Sequence, residues 1–165
     1  MGNRHLDGQK MRDRRMARSQ RAAGIAARVA VALVFAMNMQ CAVSFALWPE
    51  AHAGAFELAG VPGAAAVRGL GVAFLMWNAT YPAVIANPRR FRALFSIVLM
   101  QQAVGLAGES WILLSLPAGH TVLAASIVRF AAFDAAGLAI MAAAFAWLAL
   151  ADRASIGACR PRSGR

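Results

Sequence analysis

Residues 121–150 read TVLAASIVRF AAFDAAGLAI MAAAFAWLAL. Between Thr121 and Leu150 only Arg129 and Asp134 carry charge. A helix rises about 1.5 Å per residue, so roughly 20 apolar residues cross the hydrocarbon core of a bilayer. This run has residues to spare, which predicts a tilted helix or one that emerges into the interface. A transmembrane strand would be shorter and would alternate polar with apolar positions. The run does neither, so it reads as a membrane-spanning helix.

Three further runs follow the same rule. The first, 29–48, is interrupted only by Asn38, Gln40 and Ser44; the second, 64–85, carries Arg68, Asn78 and Tyr81; the third, 91–116, carries Gln101, Gln102 and Glu109. Pro49, Pro62, Pro88 and Pro117 punctuate the ends, where a residue without a backbone N–H is tolerated. Pro82 lies inside the second run and is expected to kink it or end it early. The chain is 60% apolar and 15% charged, against roughly 45–50% and about 25% in soluble domains. The fold class is therefore all-α, a polytopic membrane protein built as a four-transmembrane-helix bundle. The expected organisation is a basic arm over 1–28, disordered or lying along anionic headgroups, a membrane domain over 29–150, and a basic tail over 151–165.

The net charge of +10 would suit nucleic acid, but its placement points to a membrane. The arm holds Arg4, Lys10, Arg12, Arg14, Arg15, Arg18, Arg21 and Arg28, and no aromatic residue interleaves them, so nucleic acid is not an expected partner. Arg89, Arg90 and Arg92 lie between runs two and three, and Arg153, Arg160, Arg162 and Arg165 lie in the tail. The other two connections, 49–63 and 117–120, have no Lys or Arg. Basic residues stay cytoplasmic, which implies both termini inside a cell (plasma or inner) membrane. Ala51-His52-Ala53 resembles a signal-peptidase site, but the preceding apolar run is longer than a signal peptide's, so a retained helix is expected. Leu6 stands where a myristoylation motif needs Ser or Thr. Cys41 and Cys159 read as free thiols.

A charge at the centre of a membrane helix costs about 2.5–3.5 kcal/mol on insertion scales, so intramembrane charges mark glue or function. The candidate polar cluster comprises Arg68, Asn78, Gln101, Glu109, Arg129 and Asp134. Glu109 and Arg129 lie at similar depths from the outer helix ends and are expected to pair, with Arg68 reaching down to them or snorkelling to the outer headgroups. Asp134 is expected to be a second partner of Arg129 or a lone carboxyl. Arg68, Gly71, Leu75, Asn78 and Pro82 share one helical face; Gln101, Gly105, Gly108 and Glu109 share another, with Gln102 beside them. Gly105 and Gly108 permit close helix approach. Such a cluster either holds helices in register or lines a pocket.

Among the motifs looked for, no run contains His, which excludes a b-type haem held by two transmembrane histidines. Nucleotide, serine-hydrolase and zincin motifs are missing; no catalytic set, cofactor or metal is expected. His52 and His120 fall at the same outer end. Trp48, Trp77, Trp111 and Trp147 sit near run ends as interfacial anchors would. Residues 51–63 have room for a short surface helix capping the bundle. Ala132, Ala136 and Ala139 form a small-residue face that suits a membrane protein partner or a homodimer.

The basic start, the long first outer connection, Phe56-Glu57-Leu58-Ala59-Gly60-Val61-Pro62-Gly63 entering the second run, and Arg68-Gly69-Leu70-Gly71 together resemble the DoxX-like small four-helix membrane proteins over about 29–150. That resemblance implies a role near quinone-linked redox systems for some members, and it assigns no catalytic residue here. Three functions are consistent with the residues: a non-catalytic bundle binding a small hydrophobic ligand or partner protein, an accessory redox subunit, and a small transporter or proton pathway using Glu109, Arg129 and Asp134.

Overall fold

The computed structural model describes residues 3–158, with the side chains of 3–9, 12, 13 and 156–158 outside the described set. Cys159, Arg160, Arg162 and Arg165 lie outside the described residues. The chain is all-α: α1 (Asn3–Leu47), α2 (Pro49–Ala53), a 3-10 turn (Gly54–Phe56), α3 (Gly60–Asn78), α4 (Tyr81–Ala86), α5 (Arg92–Ser115) and α6 (Thr121–Ala158). Among the described residues, four helical stretches are long and apolar enough to cross a membrane, with α3 and α4 together forming the second. They run alternately up and down. One end of the bundle collects the basic arm, the α4–α5 turn and the end of α6; the other collects α2, the 3-10 turn and the α5–α6 turn.

The described part of the arm continues the first span as helix. α1 is a single helix of 45 residues, about 67 Å long, more than twice the roughly 30 Å hydrocarbon core. Arg, Ala, Met, Gln and Lys are strong helix formers, and a helix already nucleated in the first span propagates back through them at little cost. The second run breaks where proline requires it. α3 ends at Asn78, a turn over Ala79 and Thr80 follows, and Pro82 occupies the first turn of α4, where its missing N–H removes no bond.

Lipid-facing positions show as exposed apolar side chains. Val29, Leu33 and Met37 form a stripe on α1 at one-turn spacing, and Trp111 and Leu114 on α5 are 76% and 86% exposed. A soluble monomer rarely tolerates so extensive an apolar surface. Ala132, Ala136 and Ala139 also face outward.

Inside, two packed zones lie at opposite ends. Near the basic end, Val31, Val34, Tyr81, Val84, Phe95, Val98, Met141 and Leu148 form one core. Arg89 and Arg92 both bond Asp152, and Arg89 also donates to the Gln20 carbonyl at 2.6 Å, so this end is tied across α1, the α4–α5 turn and α6. At the other end, Phe45, Ala53 and Val67 form a smaller core. α2 and the 3-10 turn cap it: Ser126 Oγ donates to the Ala55 carbonyl at 2.7 Å. Glu57, in left-handed conformation, accepts from the Leu123 N–H at 3.1 Å and bonds His120 Nδ1. An acceptor carboxylate at the start of α6 satisfies a helix N–H that has no partner within the helix and opposes the helix dipole.

Packing around α3 is uneven. It lies against α1 along its length, while α5 packs on α6 and touches α4; α3 and α5 have almost no close approach. Gly71 makes the α1–α3 contact possible. A Cβ there would lie 2.6 Å from the Ala46 N and 2.8 Å from the Ala42 O, both backbone atoms that cannot swing aside.

Gly71→Ala is therefore expected to destabilise the bundle by about 1–3 kcal/mol, the usual cost of overpacking. Gly69→Ala, whose Cβ would meet nothing within 4 Å, is expected to be neutral or slightly stabilising. Thermal unfolding of both variants in detergent checks the contrast. A second test concerns the cap. Glu57's carboxyl is held below its ordinary value of 4.5, first by the His120 hydrogen bond and next by the Leu123 N–H. A depressed carboxyl contributes its stabilisation above the unfolded value, and that contribution is lost as pH falls through the folded one. Protection of the Leu123 amide from hydrogen exchange, corrected for the intrinsic rate, should fall below about pH 4.5. Glu57→Gln should flatten that dependence.

Candidate functional site

Because α3 leans on α1 and leaves α5, a cavity of about 590 Å³ opens between the two cores. Its size falls within the range of about 300–1,000 Å³ typical of small-molecule sites. Every spanning stretch contributes to its wall: Met37, Asn38, Cys41 and Phe45 from α1; Phe74, Trp77 and Asn78 from α3; Gln102, Gly105, Gly108, Glu109 and Ile112 from α5; Ser126, Arg129, Phe130, Phe133 and Asp134 from α6. His52 and Phe56 close it from the cap.

The end nearest the cap is aromatic. Phe45 meets Phe56 edge to face at 5.6 Å and Phe130 at 6.1 Å, stacks with Phe74 at 6.2 Å, and lies 4.9 Å from the His52 ring. Such edge-to-face pairs add about 0.5–1.5 kcal/mol each beyond the area they bury. His52 is held by Ser44 Oγ at 2.6 Å. His52 and His120 thus take different partners.

The deeper end is polar and carries a chain of bonds. The buried Tyr81 hydroxyl donates to Gln102 Oε1 at 3.2 Å, and Gln102 Nε2 donates to Asp134 Oδ1 at 2.6 Å. Gly105 lets Asp134 lie flat against α5: a Cβ there would stand 2.7 Å from Asp134 Oδ2. Asn78 is 2% exposed, and its Nδ2 donates to the Phe74 carbonyl at 2.7 Å. That bond fixes the amide's orientation, because a carbonyl accepts only from the NH₂ group. Asn78 Oδ1 and Glu109 Oε2 are buried without a hydrogen-bond partner among the described residues.

Of the six candidate residues, Asn78, Glu109, Arg129 and Asp134 line this one cavity. Arg68 and Gln101 do not. Arg68 is exposed and donates to the Ala46 carbonyl at 3.2 Å, while Gln101 accepts from Thr80 at the helix break, 3.3 Å away. The expected Glu109–Arg129 ion pair is not formed: Arg129 is exposed and donates to Ser126 Oγ at 2.9 Å, one turn back on its own helix. Asp134 takes Gln102, not Arg129. Residues outside the expected cluster carry much of the site. Gln102 and Glu109 are seven apart, two helical turns on one face, which is the signal that singles out Gln102 over Gln101. Asn38, Trp77 and the phenylalanines gave no such signal, since apolar and amide positions also face lipid or neighbouring helices. Trp77, which the interfacial reading placed at a bilayer surface, lines the cavity instead.

Comparison with family models, characterised proteins and solved structures finds no match. The site is therefore interpreted from its own chemistry: an aromatic wall, an anchored carboxylate, and buried acceptors without donors.

Double-mutant cycles separate the two pairings. Gln102→Ala with Asp134→Ala should show a coupling of about 0.5–2 kcal/mol, the range for interhelical hydrogen bonds in membranes. Glu109→Gln with Arg129→Gln should be additive within about 0.5 kcal/mol. Chemical unfolding in mixed micelles measures both.

Proposed function

We propose that this chain is a non-catalytic, multi-pass protein of the cell membrane that holds a small amphipathic molecule inside its bundle. The basic arm, the α4–α5 turn and the C-terminus lie in the cytoplasm on this reading, and the cap faces the opposite side. The asymmetry of Lys and Arg supports that orientation.

The observation that carries the reading is the cavity itself. Close-packed bundles leave few voids, yet here about 590 Å³ remains between α3 and α5. The two helices do not close on each other, so the route in is sideways from the bilayer, where a hydrophobic molecule is already concentrated. The aromatic wall offers the apolar contact and Asn78, Gln102 and Asp134 offer the few polar groups that fix orientation, the usual division of labour in a ligand pocket.

Gly108 provides the test. A Cβ at this position meets nothing within 4 Å, and the residue lines the cavity, so Gly108→Phe fills the space without forcing the helices apart. An alkyl diazirine photoprobe in lipid nanodiscs, with labels assigned residue by residue, is expected to label Phe74 and Trp77 in the wild type. In Gly108→Phe that labelling should fall severalfold while labelling of the lipid-facing Trp111 and Leu114 persists. Equal labelling of Phe74 and Trp77 in both proteins would sink the reading.

A further inference from the structure

Resting on that reading, we propose that the molecule held in the cavity carries a protonated amine, an ammonium with at least one N–H, on an apolar body.

Among the described residues, the two buried atoms left without a hydrogen-bond partner at the polar end are both acceptors. Asn78 Oδ1 is orphaned in a side chain 2% exposed, with its amide orientation fixed by the Phe74 carbonyl. Glu109 Oε2 is buried and orphaned. Asp134 spends Oδ1 on Gln102, and Oδ2 has no hydrogen bond among the described residues. A buried acceptor left unpaired costs about 1–3 kcal/mol, more if it is charged. A ligand bearing donors removes that cost; one bearing only acceptors adds to it.

Charge leads to the same class. The groups that face the cavity and can carry charge are His52 from α2, Glu109 from α5, and Arg129 and Asp134 from α6; Cys41 on α1 and Tyr81 on α4 are the neighbouring titratable groups. With both carboxylates ionised, the state a bound cation favours, and Arg129 counted, the lining is one negative charge in excess. In a low-dielectric interior such an excess is costly, and a monocation cancels it. Arg129 does not satisfy the carboxylates directly: among the described residues it forms no ion pair with either, and its guanidinium donates to Ser126. The aromatic wall formed by Phe45, Phe56, Phe74 and Phe130 suits the apolar body, and ring faces also attract a cation. An ammonium head of this kind belongs equally to a free hydrophobic amine and to an amine-bearing lipid headgroup.

Four probes of one shape test this: phenylbutylamine, its trimethylammonium counterpart, phenylbutanol and phenylbutyrate. Binding is measured by calorimetry on the full chain in phosphatidylcholine nanodiscs, with empty discs subtracted. Phenylbutylamine is expected to bind at least about tenfold more tightly than the other three, since a hydrogen bond to a charged group is worth that much or more. Glu109→Gln and Asp134→Asn should each weaken the amine about tenfold and narrow its preference over phenylbutanol. Should Asp134→Asn fail to fold, Glu109→Gln and the wild-type series decide. Discs containing phosphatidylethanolamine distinguish the sources: competition against the amine identifies a lipid headgroup, and an unchanged affinity identifies a free amine. Equal binding of phenylbutanol or phenylbutyrate, or an amine affinity indifferent to Glu109→Gln, overturns the ammonium. If phenylbutanol then still binds and Gly108→Phe abolishes it, the cavity reading survives alone. If none of the four binds and the photoprobe labels nothing in the cavity, both readings fall.

Discussion

The contact of Gly71 with the backbone of α1 sets the rest of the bundle. A glycine at that position lets α3 sit so close to the Ala42–Ala46 segment that a Cβ would stand 2.6 Å from backbone, and a helix seated that closely on one neighbour cannot also fill the space beside another. α5 is held elsewhere, against α6 and α4. The gap between α3 and α5 follows from this geometry, and everything polar in the interior is arranged around it. Van der Waals packing, not the hydrophobic effect, drives helices together in lipid. A small residue at one interface therefore decides which interface becomes tight and which remains open.

The break after Asn78 belongs to the same design. Pro82 ends the regular helix, and the turn over Ala79 and Thr80 redirects the chain so that Tyr81 and Val84 enter the core near the basic end. Tyr81 then reaches Gln102, and Gln102 reaches Asp134. Each link satisfies a polar group that hydrocarbon would leave bare. The chain holds the Asp134 carboxylate at the floor of the cavity with one oxygen committed. Glycine acts here a second time: at Gly105 it permits the carboxylate to lie against α5, whereas any side chain would push it away.

Sequence and structure agree where lipid is the deciding constraint. Run length set the number of spans, and proline placed the break in the second, because a missing N–H cannot be disguised in a medium that offers no alternative donor. Depth counting brought Glu109, Arg129 and Asp134 to one region, since the helical rise is invariant. Their pairing was not legible. Opposite charges at equal depth suggested an ion pair, but the direction in which a side chain leaves its helix depends on packing rotation, and Arg129 turns to Ser126. Arg68 shares a face with Asn78 by spacing, yet of its two expected places it does not take the one in the cluster: it is exposed and bonds the Ala46 carbonyl of α1. The helix in the arm was not legible, because a basic segment low in large apolar side chains suits disorder or a headgroup surface while its residues still favour helix.

An interior that balanced its own polar groups would have little reason to keep the gap. Here the two buried atoms left unpaired among the described residues are both acceptors. Several neighbouring donors are already spent: Gln102 on Asp134, Tyr81 on Gln102, Asn78 on the Phe74 carbonyl, Ser126 on the Ala55 carbonyl. Acceptors are left over on two facing helices, α3 and α5, the pair that does not close. Had Glu109 met Arg129, one of these acceptors would be satisfied. The bond of Arg129 to Ser126 leaves Glu109 Oε2 unpaired, and binding sites characteristically hold such unspent groups at a cost in stability.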